Sequence, residues 1–139
     1  MAITLLTSLI LISYIGWVIG GILDDDAFNR SVTHSINAIS ISVGYRLAPE
    51  FKFPIPVLDS WDAYRWIAKN ASSLGVDPKK LAVGGFSAGG HISAVISQLA
   101  RDTAFEFKPC FQLLVIPVCD ASALDENLEV AKGTTYHLR

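Results

Sequence analysis

Gly85-Phe86-Ser87-Ala88-Gly89 places a serine between two glycines, each two positions away. A G-x-S-x-G pattern marks a nucleophilic serine on a sharp strand-to-helix turn, where larger side chains at the glycine positions would collide. On such a turn the Ser87 hydroxyl would attack an ester carbonyl, giving an acyl-enzyme that water later cleaves. Each step passes through an oxyanion. The backbone N–H of Ala88, next to the nucleophile at a helix start, is placed to stabilise that charge. The five residues alone are a weak signal, since glycine and serine are common and chance produces such a match on the order of a few per cent of the time. A serine that merely caps a helix between two turn-forming glycines is the non-catalytic alternative.

The context around the pattern suits the chemistry. Leu81 to Gly85 is short and apolar, and Ile92, Val95, Ile96 and Leu99 recur at helical spacing after Ser87, so the local order is strand, tight turn, helix. Upstream, the uninterrupted run from Leu5 to Ile12 predicts a strand buried on both faces. Asp24, Asp25 and Asp26 open a predicted helix reaching about Ile36, because acidic side chains favour the positive end of the helix dipole. Ala38 to Val43 predicts a second buried strand. Three prolines between Arg46 and Pro56 predict a loop. Val57, Trp61, Tyr64 and Ala68 then form one stripe of an amphipathic helix that stops at Gly75, and Asp77-Pro78 predicts a turn. Cys110 to Val118 supplies a fourth apolar strand. Strands alternating with helices predict an α/β fold, a mainly parallel sheet covered by helices on both faces and joined by right-handed crossovers.

The 139 residues, 51% hydrophobic and 17% charged, are enough for one domain with a real core. A formal net charge of −2 with scattered basic residues offers no footprint for nucleic acid. Cys110 and Cys119 are too few for a disulfide framework. No metal or organic cofactor is implied. Residues 1 to 23 carry no charged side chain, long enough for a membrane-spanning helix. Gly16, Gly20 and Gly21 fit a strand followed by a glycine-rich loop equally well. No Lys or Arg precedes the apolar run, so the basic region of a signal peptide is missing, which favours a cytoplasmic chain with membrane anchoring as the alternative. The sequons Asn29-Arg30-Ser31 and Asn70-Ala71-Ser72 are uninformative about compartment.

Taken together, Tyr45-Arg46-Leu47-Ala48-Pro49-Glu50, Phe53-Pro54-Ile55-Pro56, Asp59 and Gly85-Phe86-Ser87-Ala88-Gly89-Gly90 resemble the hormone-sensitive-lipase group of alpha/beta-hydrolases. That group includes microbial carboxylesterases and arylacetamide deacetylases. The resemblance runs from about Gly16 to Asp120 and implies a serine hydrolase acting on small carboxylic esters. It assigns the oxyanion-loop region to about residues 13–21 and the nucleophile elbow to 85–89, within an incomplete hydrolase domain over 1–139. Ser13-Tyr14-Ile15-Gly16-Trp17 stands where the group carries His-Gly-Gly-Gly-Trp, so the resemblance maps the remaining oxyanion donors onto the N–H groups of Ile15 and Gly16. The branched Ile15 side chain is a departure that can forbid the glycine conformation. Phe86 is another, because the group usually has an acidic residue there.

The order expected of this fold is Ser, then Asp or Glu, then His, and members of the group extend well beyond the residues that follow Ser87 here. The chain thus reads as a truncated N-terminal half. Of its three histidines, His34 falls in a predicted helix before the nucleophile and His91 on the helix that the elbow points away from. His137 has the right order, with Asp120 or Asp125 as its acid, although Asp120 matches a non-catalytic aspartate of the group. A non-catalytic alternative is a hydrolase-like fragment that associates with a partner or with itself through an exposed sheet edge.

Overall fold

Strand β1 (Leu6–Ile12) runs through the interior of a four-stranded parallel sheet of order β2-β1-β3-β4. The computed structural model describes residues 6–12 and 16–120. The remaining elements are α1 (Asp26–Ile36), β2 (Ile39–Val43), α2 (Ile55–Lys69), a 3-10 turn (Ala71–Leu74), β3 (Val76–Phe86), α3 (Ser87–Asp102) and β4 (Phe111–Val115). Parallel neighbours cannot be joined by tight hairpins, and here a helix lies between each strand and the next. The predicted alternation is therefore what the chain adopts.

Ser8 through Ile12 are all buried, as an interior strand with helices over both faces requires. That geometry also corrects the spanning-helix alternative for residues 1 to 23. Residues 6–12 are strand paired to β2 on one side and β3 on the other, and no described helix is long and apolar enough to cross a membrane.

Pairing fixes which side chains share a face. Ser8, Ile10 and Ile12 stand opposite Ile39, Ile41 and Val43 of β2, while Ile10 stands opposite Val83 of β3. This face carries the main core, where Val57, Trp61, Tyr64 and Ile67 of α2 meet Ile92 and Ile96 of α3. The predicted α2 stripe of Val57, Trp61, Tyr64 and Ala68 is buried in full. On the opposite face Leu9, Leu11 and Ala82 form a smaller cluster with Val32 of α1 and Leu113 of β4. The Ile-Ser-Ile-Ser-Val alternation of β2 follows from its place at a sheet edge. Its isoleucines join the main core, and Ser42 Oγ on the other face accepts a hydrogen bond from Asn29 Nδ2 of α1 at 3.1 Å. β2 is consequently half-buried rather than the fully buried strand predicted.

Several boundaries differ from expectation: α2 ends at Lys69 and hands over to the 3-10 turn instead of running on to Gly75, and β4 spans Phe111–Val115 rather than Cys110 to Val118. Pro56 lies inside the first turn of α2, where its missing N–H has no carbonyl to lose. Asp77 and Pro78 lie within β3 rather than in a separate turn. The turn chemistry persists as an irregularity, because β1 advances from Leu6 to Ser8 while β3 advances from Val76 to Leu81. Asp77 Oδ1 accepts the Lys79 N–H at 2.9 Å inside that bulge, which spares a proline from the regular ladder. Gly75, at φ +74, closes the preceding 3-10 turn in the left-handed region as a glycine stop should.

Candidate active site

No loop residue separates β3 from α3. Phe86 is extended (φ −97, ψ 151) and Ser87 is already the first helical residue, with φ +45. A left-handed conformation costs a non-glycine residue about 1–2 kcal/mol, so the surrounding structure must impose it. The imposing contacts fall on Gly85. A Cβ there would sit 2.6 Å from the Gly89 carbonyl carbon and 2.7 Å from the Ile12 carbonyl oxygen. Both are backbone atoms that no rotamer change can move aside. Gly90 is confined in turn, since its Cβ would lie 2.9 Å from the Gly85 carbonyl oxygen and 3.2 Å from the Pro117 Cβ. The glycines let strand and helix backbones approach closely enough for the bend.

Ser87 is half-buried at this bend and Ala88 is fully buried behind it. The first N–H groups of a helix have no carbonyl one turn back and form the positive end of its dipole. The Ala88 amide belongs to this set.

β1 ends beside the elbow, because β1 and β3 are parallel neighbours with Leu11 opposite Gly84. Gly16 is exposed and has open space around it. Trp17 is held on two sides. Its carbonyl accepts the Ala48 N–H at 2.9 Å, and its indole meets the His91 ring edge to face with centroids 5.8 Å apart. Ile15 lies outside the described residues, as do Ser13 and Tyr14. Of the residues expected in the site, Gly85, Ser87, Ala88 and Gly89 come together at the elbow, and Gly16 lies on the loop that emerges at the same end of the sheet.

The histidines and acids separate. His34 is exposed in the last turn of α1. His91 Nδ1 lies 2.7 Å from the Val118 carbonyl oxygen, a bond that only a protonated Nδ1 can donate. Asp120 is exposed just beyond that carbonyl, and Asp125 and His137 lie outside the described residues.

Other quoted residues hold the scaffold around the bend. Arg46 makes a forked ion pair with Asp59, Nε to Oδ2 at 2.9 Å and Nη2 to Oδ1 at 2.7 Å, and its backbone N–H also donates to Oδ2 at 3.1 Å. The Arg46 hydrogen bonds hold the Asp59 carboxyl below its ordinary pKa, against a smaller opposing effect of burial. The proline-containing loop is thereby fastened to α2. Burial pushes the Tyr45 hydroxyl up to about 12, so it stays protonated. Phe86 packs edge to face on Phe28 of α1, with centroids 4.6 Å apart. Sequence reasoning missed that contact, and nothing in the local pattern around either phenylalanine signals it.

Comparison with known proteins agrees with this geometry. A family profile described as alpha/beta hydrolase fold matches residues 15–138. The carboxylesterase NlhH of Mycobacterium tuberculosis is 49% identical over 102 residues, covering 73% of this chain and 32% of that protein. An arylesterase of Saccharolobus solfataricus is 45% identical over 134 residues, covering 88% of this chain and 44% of its own length. Among solved structures, a Pyrobaculum calidifontis esterase superposes with a TM-score of 0.79 at 40% identity, over 83% of this chain and 37% of that one. The chain thus spans less than half the length of each of these three relatives. With a parallel sheet, a serine at the strand-to-helix bend and a profile match over most of its length, the chain belongs to the alpha/beta hydrolase fold family.

Proposed function

We propose that this chain carries the nucleophile-bearing part of a carboxylic ester hydrolase, with Ser87 as the nucleophile. The observation that carries the reading is the left-handed Ser87 at the junction of β3 and α3, beside a Gly85 that has no room for a side chain. Ser87 Oγ adds to the ester carbonyl while its proton passes to a general base. The N–H groups of Ala88, Gly16 and Ile15 receive the oxyanion. Collapse breaks the carbonyl carbon–alkoxy oxygen bond, the alcohol leaves with the proton, and water repeats the sequence to release the acid and restore Ser87. In chain order this fold places the acid and then the histidine after the nucleophile, and the sequence offers no evident pair for these two roles. The esterase names of its relatives support a small ester as substrate.

The test is labelling of the folded chain with a fluorophosphonate probe, read by intact mass. One adduct on the wild-type chain and none on Ser87→Ala is expected. A wild-type chain that stays unlabelled would remove the hydrolase reading.

A second reading is favoured by the exposed edge. Phe111 (60% exposed) and Leu114 on β4, with Ile116 (70% exposed) just past its end, leave an apolar, uncharged strand at the edge of the sheet among the described residues. Such an edge templates pairing with another strand, which supports association of two copies through β4. Sedimentation should then show a dimer that Leu114→Lys converts to monomer. A monomeric wild-type chain would exclude this reading.

A further inference from the structure

We propose that His91 is a positioning residue, tying the Gly16–Trp17 end of the glycine loop and the segment leaving β4 to the first turns of α3. The inference rests on the reading of Ser87 as nucleophile. It assigns His91 the task of keeping the oxyanion donors from the two sides of the site in one fixed relation.

His91 lies four residues after Ser87, on the same side of α3 one turn along. Its Nδ1–H donates to the Val118 carbonyl oxygen at 2.7 Å, and the Val118 N–H donates back to the Ser87 carbonyl oxygen at 3.4 Å. Pro117, next in the same segment, packs so near Gly90 that a Cβ there would lie 3.2 Å from the proline Cβ. Pro117 and Val118 thus bind the segment after β4 closely to α3 at Ser87, Gly90 and His91. The same imidazole meets Trp17, whose ring stands at 82° to it. Trp17 is covalently next to Gly16, and its carbonyl is anchored by the Ala48 N–H at 2.9 Å. The Gly16 amide comes from the loop after β1 and the Ala88 amide from α3, two elements with no covalent link near the site. The Trp17–His91 contact connects them across that gap.

The two functions of the imidazole separate in substitutions. Asparagine keeps an N–H for Val118 but offers no ring to Trp17, whereas leucine fills space and donates nothing. Three measurements on the full chain test the proposal. The first is the Trp17 indole N–H resonance, assigned by its loss in Trp17→Phe. It is expected to shift in both His91→Asn and His91→Leu while the Trp61 and Trp66 resonances stay in place. The second is the rate of Ser87 labelling by a fluorophosphonate at saturating probe. A fall of about tenfold is expected in His91→Leu with the probe's apparent affinity unchanged, because misplaced donors act on the reacting state. The third is partial recovery of that rate in His91→Asn, which also serves if the leucine variant fails to fold. Wild-type labelling rates in both variants, or an unmoved Trp17 resonance, would overturn the proposal. A wild-type chain that does not label at all would refute the nucleophile reading instead, and the Trp17 resonance would still decide whether His91 holds the loop.

Discussion

The carbonyl oxygen of Ile12, the last residue of β1, stands 2.7 Å from the point where a Cβ on Gly85 would lie. With the Gly89 carbonyl carbon 2.6 Å from the same point, strand, elbow and helix close around a single hydrogen atom. Gly85→Ala must therefore push backbone apart. Overpacking of this kind costs about 1–3 kcal/mol, and the displacement falls next to the nucleophile. A lower denaturation midpoint together with loss of Ser87 labelling is expected. An unchanged midpoint would show that the bend is looser than described.

Ser87 itself stores strain at φ +45. Alanine inherits the strain, while glycine adopts that backbone freely. Ser87→Gly is accordingly expected to be more stable than Ser87→Ala by about 1 kcal/mol, although both abolish labelling. A serine in ordinary right-handed helical conformation would give the reverse order, since glycine is the weaker helix former there. Chemical denaturation of the two variants separates these outcomes.

Tyr64 is fully buried in an aromatic group with Trp61 and Phe105, and its hydroxyl donates to the Phe107 carbonyl at 2.7 Å. Burial, with a smaller effect from Cys110, raises its pKa, so the donor stays protonated throughout the working range. Tyr64→Phe keeps the packing and leaves a carbonyl without its donor. A loss of about 1–2 kcal/mol is expected by urea titration, with the segment joining α3 to β4 loosened first in hydrogen exchange.

The Arg46–Asp59 pair predicts a pH dependence with a definite sign. Its hydrogen bonds lower the native Asp59 pKa below the ordinary value of 3.8. The pair's contribution is complete above the unfolded-state pKa and is lost as pH falls through the lower native value. Acid should thus narrow the stability gap between the wild-type chain and Asp59→Asn, which melting curves across that interval measure. A gap that widened on acidification would contradict the assignment.

The element order was legible from the chain because it rests on short-range patterns. The apolar run ending at Ile12, the α2 stripe of Val57, Trp61, Tyr64 and Ala68, and the helical spacing after Ser87 each predict the element observed. Two of the misread boundaries, at Pro56 and at Asp77-Pro78, are places where proline chemistry was right about the local hydrogen bond and wrong about the element. A proline can open a helix, and a bulge can carry one through a strand.

The sequence by itself determined where the bend lies and what stands on it, since glycine spacing and hydrophobic period act within a few residues of Ser87. Tertiary structure alone decided what presses on that bend. The Ile12 carbonyl over Gly85, Leu113 2.9 Å from a Cβ on Gly84, Phe28 against Phe86 and Trp17 against His91 join residues from separate elements. Such contacts are set by sheet order and register, which bring β1 and β4 to the two sides of β3. No periodicity within one segment encodes them.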